Sequence, residues 1–302
     1  NVTRHRTVPF IYRRGSGKYV IQWVPALSGE SIAHTYQEYL VDLALKNGLN
    51  VCYWCRLKEF IKHFDLKFWK NTAAKINYSK EEVEIANKYA NTTKLTLDQI
   101  KEIEQAIVKT CAVEDICGFL VTQGPVKRTS RVLFSYAIPT IESVESGAMA
   151  LDNQFFVRHA PQAETMRGEL GPVQAPYYVQ TASAIYGFST AIDFDSIGIS
   201  SVNGSKIVSE DEVSKRRKLA LNALKEMLDS RIFGAKLSRF TPMLDYEIAV
   251  AIVTKSTKLM VSPPTLKLVE FVRDSIIRAS KANADTNDNI KVLIWCRSKD
   301  IS

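Results

Sequence analysis

No run of apolar residues approaches the ~20 that a membrane-spanning helix needs, and no signal-peptide pattern opens the chain, so the expected location is the cytoplasm. Cysteine is sparse, odd in number and scattered, with five in 302 residues, which argues against a disulfide framework. Cys52 and Cys55 form a CxxC, half of a zinc site or a redox pair. No second CxxC and no paired histidines follow, and Cys111 and Cys117 have the wrong separation for a clean second half. The spacing therefore favours partly buried free thiols, with no metal and no cofactor. Carboxylates do not cluster either. Asp193 and Asp195 would share a face if their strand continued, and could then hold a divalent ion, but they fit a strand's exit into a turn better.

The chain is long enough to bury a large core in one elaborated domain or two. A hydrophobic fraction of 46% with 24% charged residues describes a soluble globular protein. Forty Lys and Arg against 32 Asp and Glu leave a formal charge of +8, a balance that favours nucleic acid or another acidic partner.

The most informative stretch is 118–139, GFLVTQGPVKRTSRVLFSYAIP. A Gly124-Pro125 turn signal leads through Lys127, Arg128 and Arg131 into an apolar strand. In extended chain Lys127 and Arg128 leave on opposite faces, while Val132, Phe134 and Tyr136 share one. Cations gathered where a strand leaves a turn suit a polyanion, and the plain alternative is a solvated basic loop.

Ahead of this stretch, Arg4-His5-Arg6 precedes two strands, 8–14 and 18–24, joined across Gly15-Ser16-Gly17. Ser28 or Ser31 caps a helix carrying Ile32, Tyr36, Tyr39, Leu40 and Leu43, and its first turn, with His34 nearby, offers amides to an anion. Residues 50–112 are a helical insertion with capping boxes at Ser79/Glu82 and Thr96/Gln99. Its Trp54, Phe68 and Trp69 fit a small core better than base stacking. Residues 140–180 are an irregular protruding hairpin or loop made basic by Arg158, His159 and Arg167. An apolar strand spans 182–192, and a helix from Ser209 presents Val213, Ala220, Leu221, Leu224 and Leu228 on one face. Lys215, Arg216, Arg217 and Lys218 lie early on that helix, against its dipole, as candidates for an external ligand. A glycine-containing basic loop with Lys236 and Arg239 feeds a strand at 247–254, and a final helix precedes a last strand at 292–295.

The segments NVTRHRTVP (1–9), VPALSGESIA (24–33), GPVKRTSRVLFSYAIP (124–139), AIYGF (184–188) and FGAKLSRFTP (233–242) stand in the order of a known family. Together they make the chain resemble the DevR-type, Cas-seven backbone subunits of CRISPR Cascade complexes, especially the archaeal type I-A branch. The resemblance implies an α+β fold, an RRM-like, ferredoxin-type βαββαβ core with helical and hairpin insertions in a crescent or hand-like outline. On that mapping the first core strand lies upstream of Asn1, and residues 1–302 are one elaborated domain with a thumb at 140–180.

The resemblance also implies a non-catalytic scaffold that binds guide RNA by its backbone, polymerises with copies of itself into a helical filament, and joins other Cascade subunits in an antiviral complex that pairs the guide with target DNA. Phosphate contacts then fall to Ser28, Ser31, His34, Lys127, Arg128, Arg131, Lys236 and Arg239, with Arg4, His5, Arg6, Arg158 and His159 as further candidates. Dispersed cations agree with this, because a protein that presents RNA for pairing must leave base edges free. Two alternatives stand beside it. One is a ribonuclease backbone subunit of a type III-like complex, using Asp152, Asp193 or Asp195. The other is a stand-alone RNA-binding regulator.

Overall fold

The structure is a computed structural model that describes residues 2–92, 94–122, 124, 126–159, 174–234, 237 and 241–297. In chain order its first elements are β1 (Val2–Thr3), β2 (Thr7–Arg13), β3 (Tyr19–Pro25), α1 (Gly29–Lys46), α2 (Tyr53–Arg56), α3 (Leu66–Thr72), α4 (Lys80–Tyr89), α5 (Leu97–Thr110) and α6 (Ala112–Cys117). Then come β4 (Phe119–Val121), β5 (Val126–Arg128), β6 (Val132–Phe134), β7 (Ile138–Pro139), α7 (Ile141–Glu145), β8 (Met149–His159), β9 (Gln174–Ala184), β10 (Tyr186–Gly187) and β11 (Thr190–Ile192). The chain continues through α8 (Glu210–Ser230), β12 (Ile248–Val253), α9 (Leu268–Thr286) and β13 (Lys291–Cys296). Two compact units divide these elements: Asn1–Gly29, Ser135–Ser189 and Asp245–Ser302 form one, Glu30–Phe134 and Thr190–Leu244 the other.

In the first unit, β2 and β3 pair antiparallel from Thr7↔Pro25 to Arg13↔Tyr19. Strand alternation sends Tyr12 and Val24 inward, while Ile11, Ile21 and Trp23 face out. A second hairpin pairs β8 with β9 from Met149↔Ala184 to His159↔Gln174, and β1 adds to β9 in parallel through Val2↔Tyr178 and Thr3↔Val179. Residues 140–180 therefore begin with a short helix, α7, capped by Thr140, and become a regular hairpin over the described residues rather than an irregular loop. β12 and β13 form the remaining long antiparallel pair, and α9 buries Phe271, Ser275 and Ala279 at four-residue spacing.

In the second unit, α1 buries Ile32, Tyr36 and Leu40 along one stripe, and Tyr36 donates its hydroxyl hydrogen to the Ala220 carbonyl at 2.9 Å. Both capping boxes form, Ser79 with Glu82 and Thr96 with Gln99. The helices behind them enclose Leu66, Trp69, Tyr89, Ile103 and Ile107, with Trp54 and Phe68 packed alongside, so these aromatics are core. Two further pairs, β4–β5 and β6–β11, complete the unit.

Three sequence expectations change. The strand expected at 182–192 is broken into β9, β10 and β11. Close approach occurs within it: a Cβ on Gly187 would stand 2.4 Å from the Pro264 carbonyl oxygen. The strand following Arg131 is likewise split into β6 and β7. On α8 the buried side holds Val213, Arg216, Leu219, Ala220, Ala223 and Met227, whereas Leu221 is exposed. A buried carboxylate partner draws Arg216 inside and turns the helix away from its expected face.

Candidate nucleic-acid interface

Lys127, Arg128 and Arg131 stand on and just after β5. β5 is extended, so its alternation buries Val126 and Arg128 and leaves Lys127 exposed. Arg128 is only 2% exposed, and its guanidinium is fully engaged inside the second unit. Its Nε donates to the Asp115 carbonyl at 2.9 Å, Nη1 to Glu104 Oε1 at 2.9 Å and the Ile199 carbonyl at 2.8 Å, and Nη2 to Asp115 Oδ1 and the Ser196 carbonyl. Arg216 completes the cluster, donating to Asp115 Oδ2 at 2.8 Å and Glu212 Oε1 at 2.5 Å. The expectation that Arg128 meets a phosphate is therefore corrected: two carboxylates and three carbonyls occupy the donors that a phosphate would need. Arg216 is withdrawn from external ligands for the same reason. Lys215 pairs with Asp211, and Arg217 donates to the Phe194 carbonyl and faces Asp195, so the run on α8 is largely internal to the protein.

Arg131 is half-buried and donates through Nη2 to Ser201 Oγ at 2.9 Å; burial, and then the charge of Arg128, lowers its pKa. His34 is exposed on α1, 3.6 Å from Glu38 and edge-on to Phe60. Ser31 is half-buried in the same first turn. Ser28, just ahead of it, is buried, so its side chain is not open to a phosphate. Lys236 and Arg239 lie outside the described residues, as does Arg167. Asp193 makes the expected turn, accepting from the Ser196 amide at 3.3 Å and hydroxyl at 2.6 Å.

Arg4, His5 and Arg6 are held from both sides. β1 docks on β9 before them and β2 enters its hairpin after them, so the segment is tied at both sides. The His5 amide donates to Gln180 Oε1 at 2.9 Å, and the Arg6 carbonyl accepts from the Ala26 amide at 2.8 Å. Arg4 and Arg6 are exposed; Arg6 donates to the Tyr136 hydroxyl at 3.0 Å with its guanidinium carbon 5.9 Å from that ring's centre. Arg158 and His159 belong to β8, opposite Ala175 and Gln174.

Sequence reasoning missed an aromatic pair on this hairpin. Phe155 and Tyr178 stand directly opposite each other, are 56% and 46% exposed, and bring their ring centres to 5.2 Å. Phe156 and Tyr177 form a stacked pair on the other side, 5.5 Å apart. Only the register of β8 against β9 reveals either pair, and that register needs both strands. The first unit thus presents two exposed arginines and an exposed aromatic surface on elements joined by β1, the chemistry that grips a sugar-phosphate chain and packs against bases.

Among the described residues, no helix is long and apolar enough to cross a membrane. Compared with proteins already known, the chain is 33% identical over 295 residues to the CRISPR-associated aCascade subunit Cas7/Csa2 2 of Saccharolobus solfataricus, covering 96% of this chain and 83% of that one. A second protein of that organism, Cas7/Csa2 1, is 33% identical over 293 residues, covering 97% and 82%. The CRISPR-associated protein Cas7/Cst2/DevR of Methanocaldococcus jannaschii is 27% identical over 247 residues, covering 80% and 70%. The family model described as CRISPR-associated negative auto-regulator DevR/Csa2 matches residues 1–275. With a match of that extent, the chain belongs to the CRISPR-associated DevR/Csa2 family.

Proposed function

We propose that this protein is a non-catalytic scaffold that binds CRISPR guide RNA, polymerises along it, and forms the backbone of a type I Cascade complex that recognises target DNA. The observation that carries the reading is the likeness, over 96% of the chain, to a protein named as an aCascade subunit. The exposed Arg4, Arg6 and Lys127 support it as cations that reach solvent, where a phosphate would meet them. On this reading the core is RRM-like and the β8–β9 hairpin is the thumb, with Phe155 and Tyr178 as a wedge against which a base of the bound strand packs. Of the three aspartates that a nuclease would use, Asp193 accepts from Ser196 and Asp195 lies 3.7 Å from Arg217, whereas Asp152 stands exposed on β8, so the choice of scaffold rests on the family likeness and on the cleavage test below.

Copurified RNA tests the first half. The scaffold reading expects RNA of defined length with the expressed protein, and Phe155→Ser should weaken binding by roughly the ~1–3 kcal/mol of one lost base stack without changing the unfolding midpoint. Incubating the assembled complex with complementary RNA and magnesium tests the second half. Intact RNA is expected, and periodic cleavage would move the protein to the ribonuclease class.

A further inference from the structure

The helical insertion is closed at its base by a cluster that sequence spacing alone did not assemble. Cys52, Cys55, Cys111 and Glu114 place one donor atom each within 4.8 Å of all the others, and all four residues are buried, Cys55, Cys111 and Glu114 at 0% exposure. The expectation of unconnected, partly buried thiols is thereby revised. Cys117 does stay apart, as its separation suggested, but the second half-site is Cys111-x-x-Glu114, matching Cys52-x-x-Cys55 with a carboxylate in place of the last thiol.

Each half-site opens a short helix. Cys52 is the residue before α2 and Cys55 lies within it; Cys111 is the extended residue between α5 and α6, with φ −140° and ψ 109°, and Glu114 follows one turn later. A backbone hydrogen bond of 2.9 Å from the Ala112 amide to the Asn50 carbonyl fastens the two half-sites together.

We infer that Cys52, Cys55, Cys111 and Glu114 form a structural zinc site that clasps the two ends of the 50–112 insertion. A tetrahedral zinc with sulfur bonds of ~2.3 Å sets its donors roughly 3.8 Å apart, so only slight side-chain adjustment closes the cluster on an ion. Three soft sulfurs select zinc over magnesium or calcium, and four buried protein donors leave no open position for substrate, which makes the site structural rather than catalytic. Outer support is present too. His63 Nδ1 lies 2.5 Å from Glu114 Oε1 and its amide donates to Oε2 at 3.2 Å, while His63 Nε2 lies 2.7 Å from Glu82, fixing the carboxylate as a ligand would need to be fixed. Binding displaces the thiol protons into solvent and exchanges no electrons.

The test uses the full chain purified without chelator, with zinc measured by elemental mass spectrometry. One zinc per chain is expected, and replacing it with cobalt should produce the thiolate charge-transfer band and the visible bands of a tetrahedral ion. Cys111→Ser should lose the metal and lower the unfolding temperature, Glu114→Cys should keep it, and Cys117→Ser and Cys296→Ser should retain one zinc each. If Cys111→Ser does not fold, the wild-type metal content and cobalt spectrum decide by themselves. Wild-type chain that holds no zinc, shows no cobalt–thiolate band after reduction and metal incubation, or carries a Cys52–Cys55 disulfide overturns the inference. None of these readouts depends on RNA, so this proposal and the scaffold reading fail separately.

Discussion

Adjacent residues can carry opposite duties. Lys127 and Arg128 differ by one step along β5, and that step separates solvent from a buried ion cluster. Removing Arg128 strands Glu104 without its cation and leaves Asp115 with Arg216 alone, and breaking such a buried pair costs about 3–5 kcal/mol. Arg128→Met is therefore expected to lower the unfolding free energy in denaturant by about that amount, while Lys127→Ala stays within about 0.5 kcal/mol of the parent. For RNA the order reverses: Lys127→Ala lowers the dependence of affinity on salt, and any folded Arg128→Met keeps it. Equal loss of stability in both variants would refute the assignment. The opposed directions of these two side chains were legible from strand alternation. Which direction led inside was not, because the answer depends on Glu104, Asp115 and Ser196, which reach the site from three other parts of the chain.

Short elements announce themselves in sequence when their signals are local. Both capping boxes, the first hairpin and the helix from Ser209 were readable because each rests on neighbours within a turn or two. Cys111-x-x-Glu114 was equally local, but only its meeting with Cys52 in space gives it meaning. Asp288 shows how a connection is secured at a distance in sequence. Sitting between α9 and β13, it accepts hydrogen bonds from the amides of Lys255, Ser256 and Thr257, beyond the end of β12, and from the Ser256 hydroxyl. These donors, the Thr257 amide foremost, hold its carboxyl well below the ordinary aspartate value. A carboxylate with a depressed folded pKa contributes stability that is complete above the unfolded value, about 3.9, and disappears as pH falls through the folded one. Acid titration of unfolding free energy should thus show a decline below about pH 4 that Asp288→Asn makes shallower. An unchanged acid limb in that variant would remove Asp288 from the account.

At the scale of the whole molecule, the formal charge of +8 says less about binding than the list of cations left after internal pairing. Arg128 and Arg216 are neutralised in the interior, Lys215 and Lys225 face carboxylates one helical turn away, and Lys206 faces Glu210 at the start of α8. The mixed α and β character was legible because helical and alternating patterns occupy different stretches. The breaks in the 182–192 strand were not, because its pieces take three different partners, β8, β7 and β6. For a scaffold, the remaining charge has a measurable consequence. Each cation that neutralises a phosphate on single-stranded RNA adds about 0.7 to the slope of log affinity against log salt, so Arg4→Ala and Arg6→Ala should each lower it by about that much, whatever the guide sequence. Light scattering on the same samples should show mass rising in steps of one protomer as the guide is lengthened, since a polymer adds a subunit only when another stretch of backbone becomes available. A stand-alone regulator would give one fixed mass at every length. That result, together with an unchanged salt slope in the two arginine variants, would leave the family membership intact and discard the scaffold.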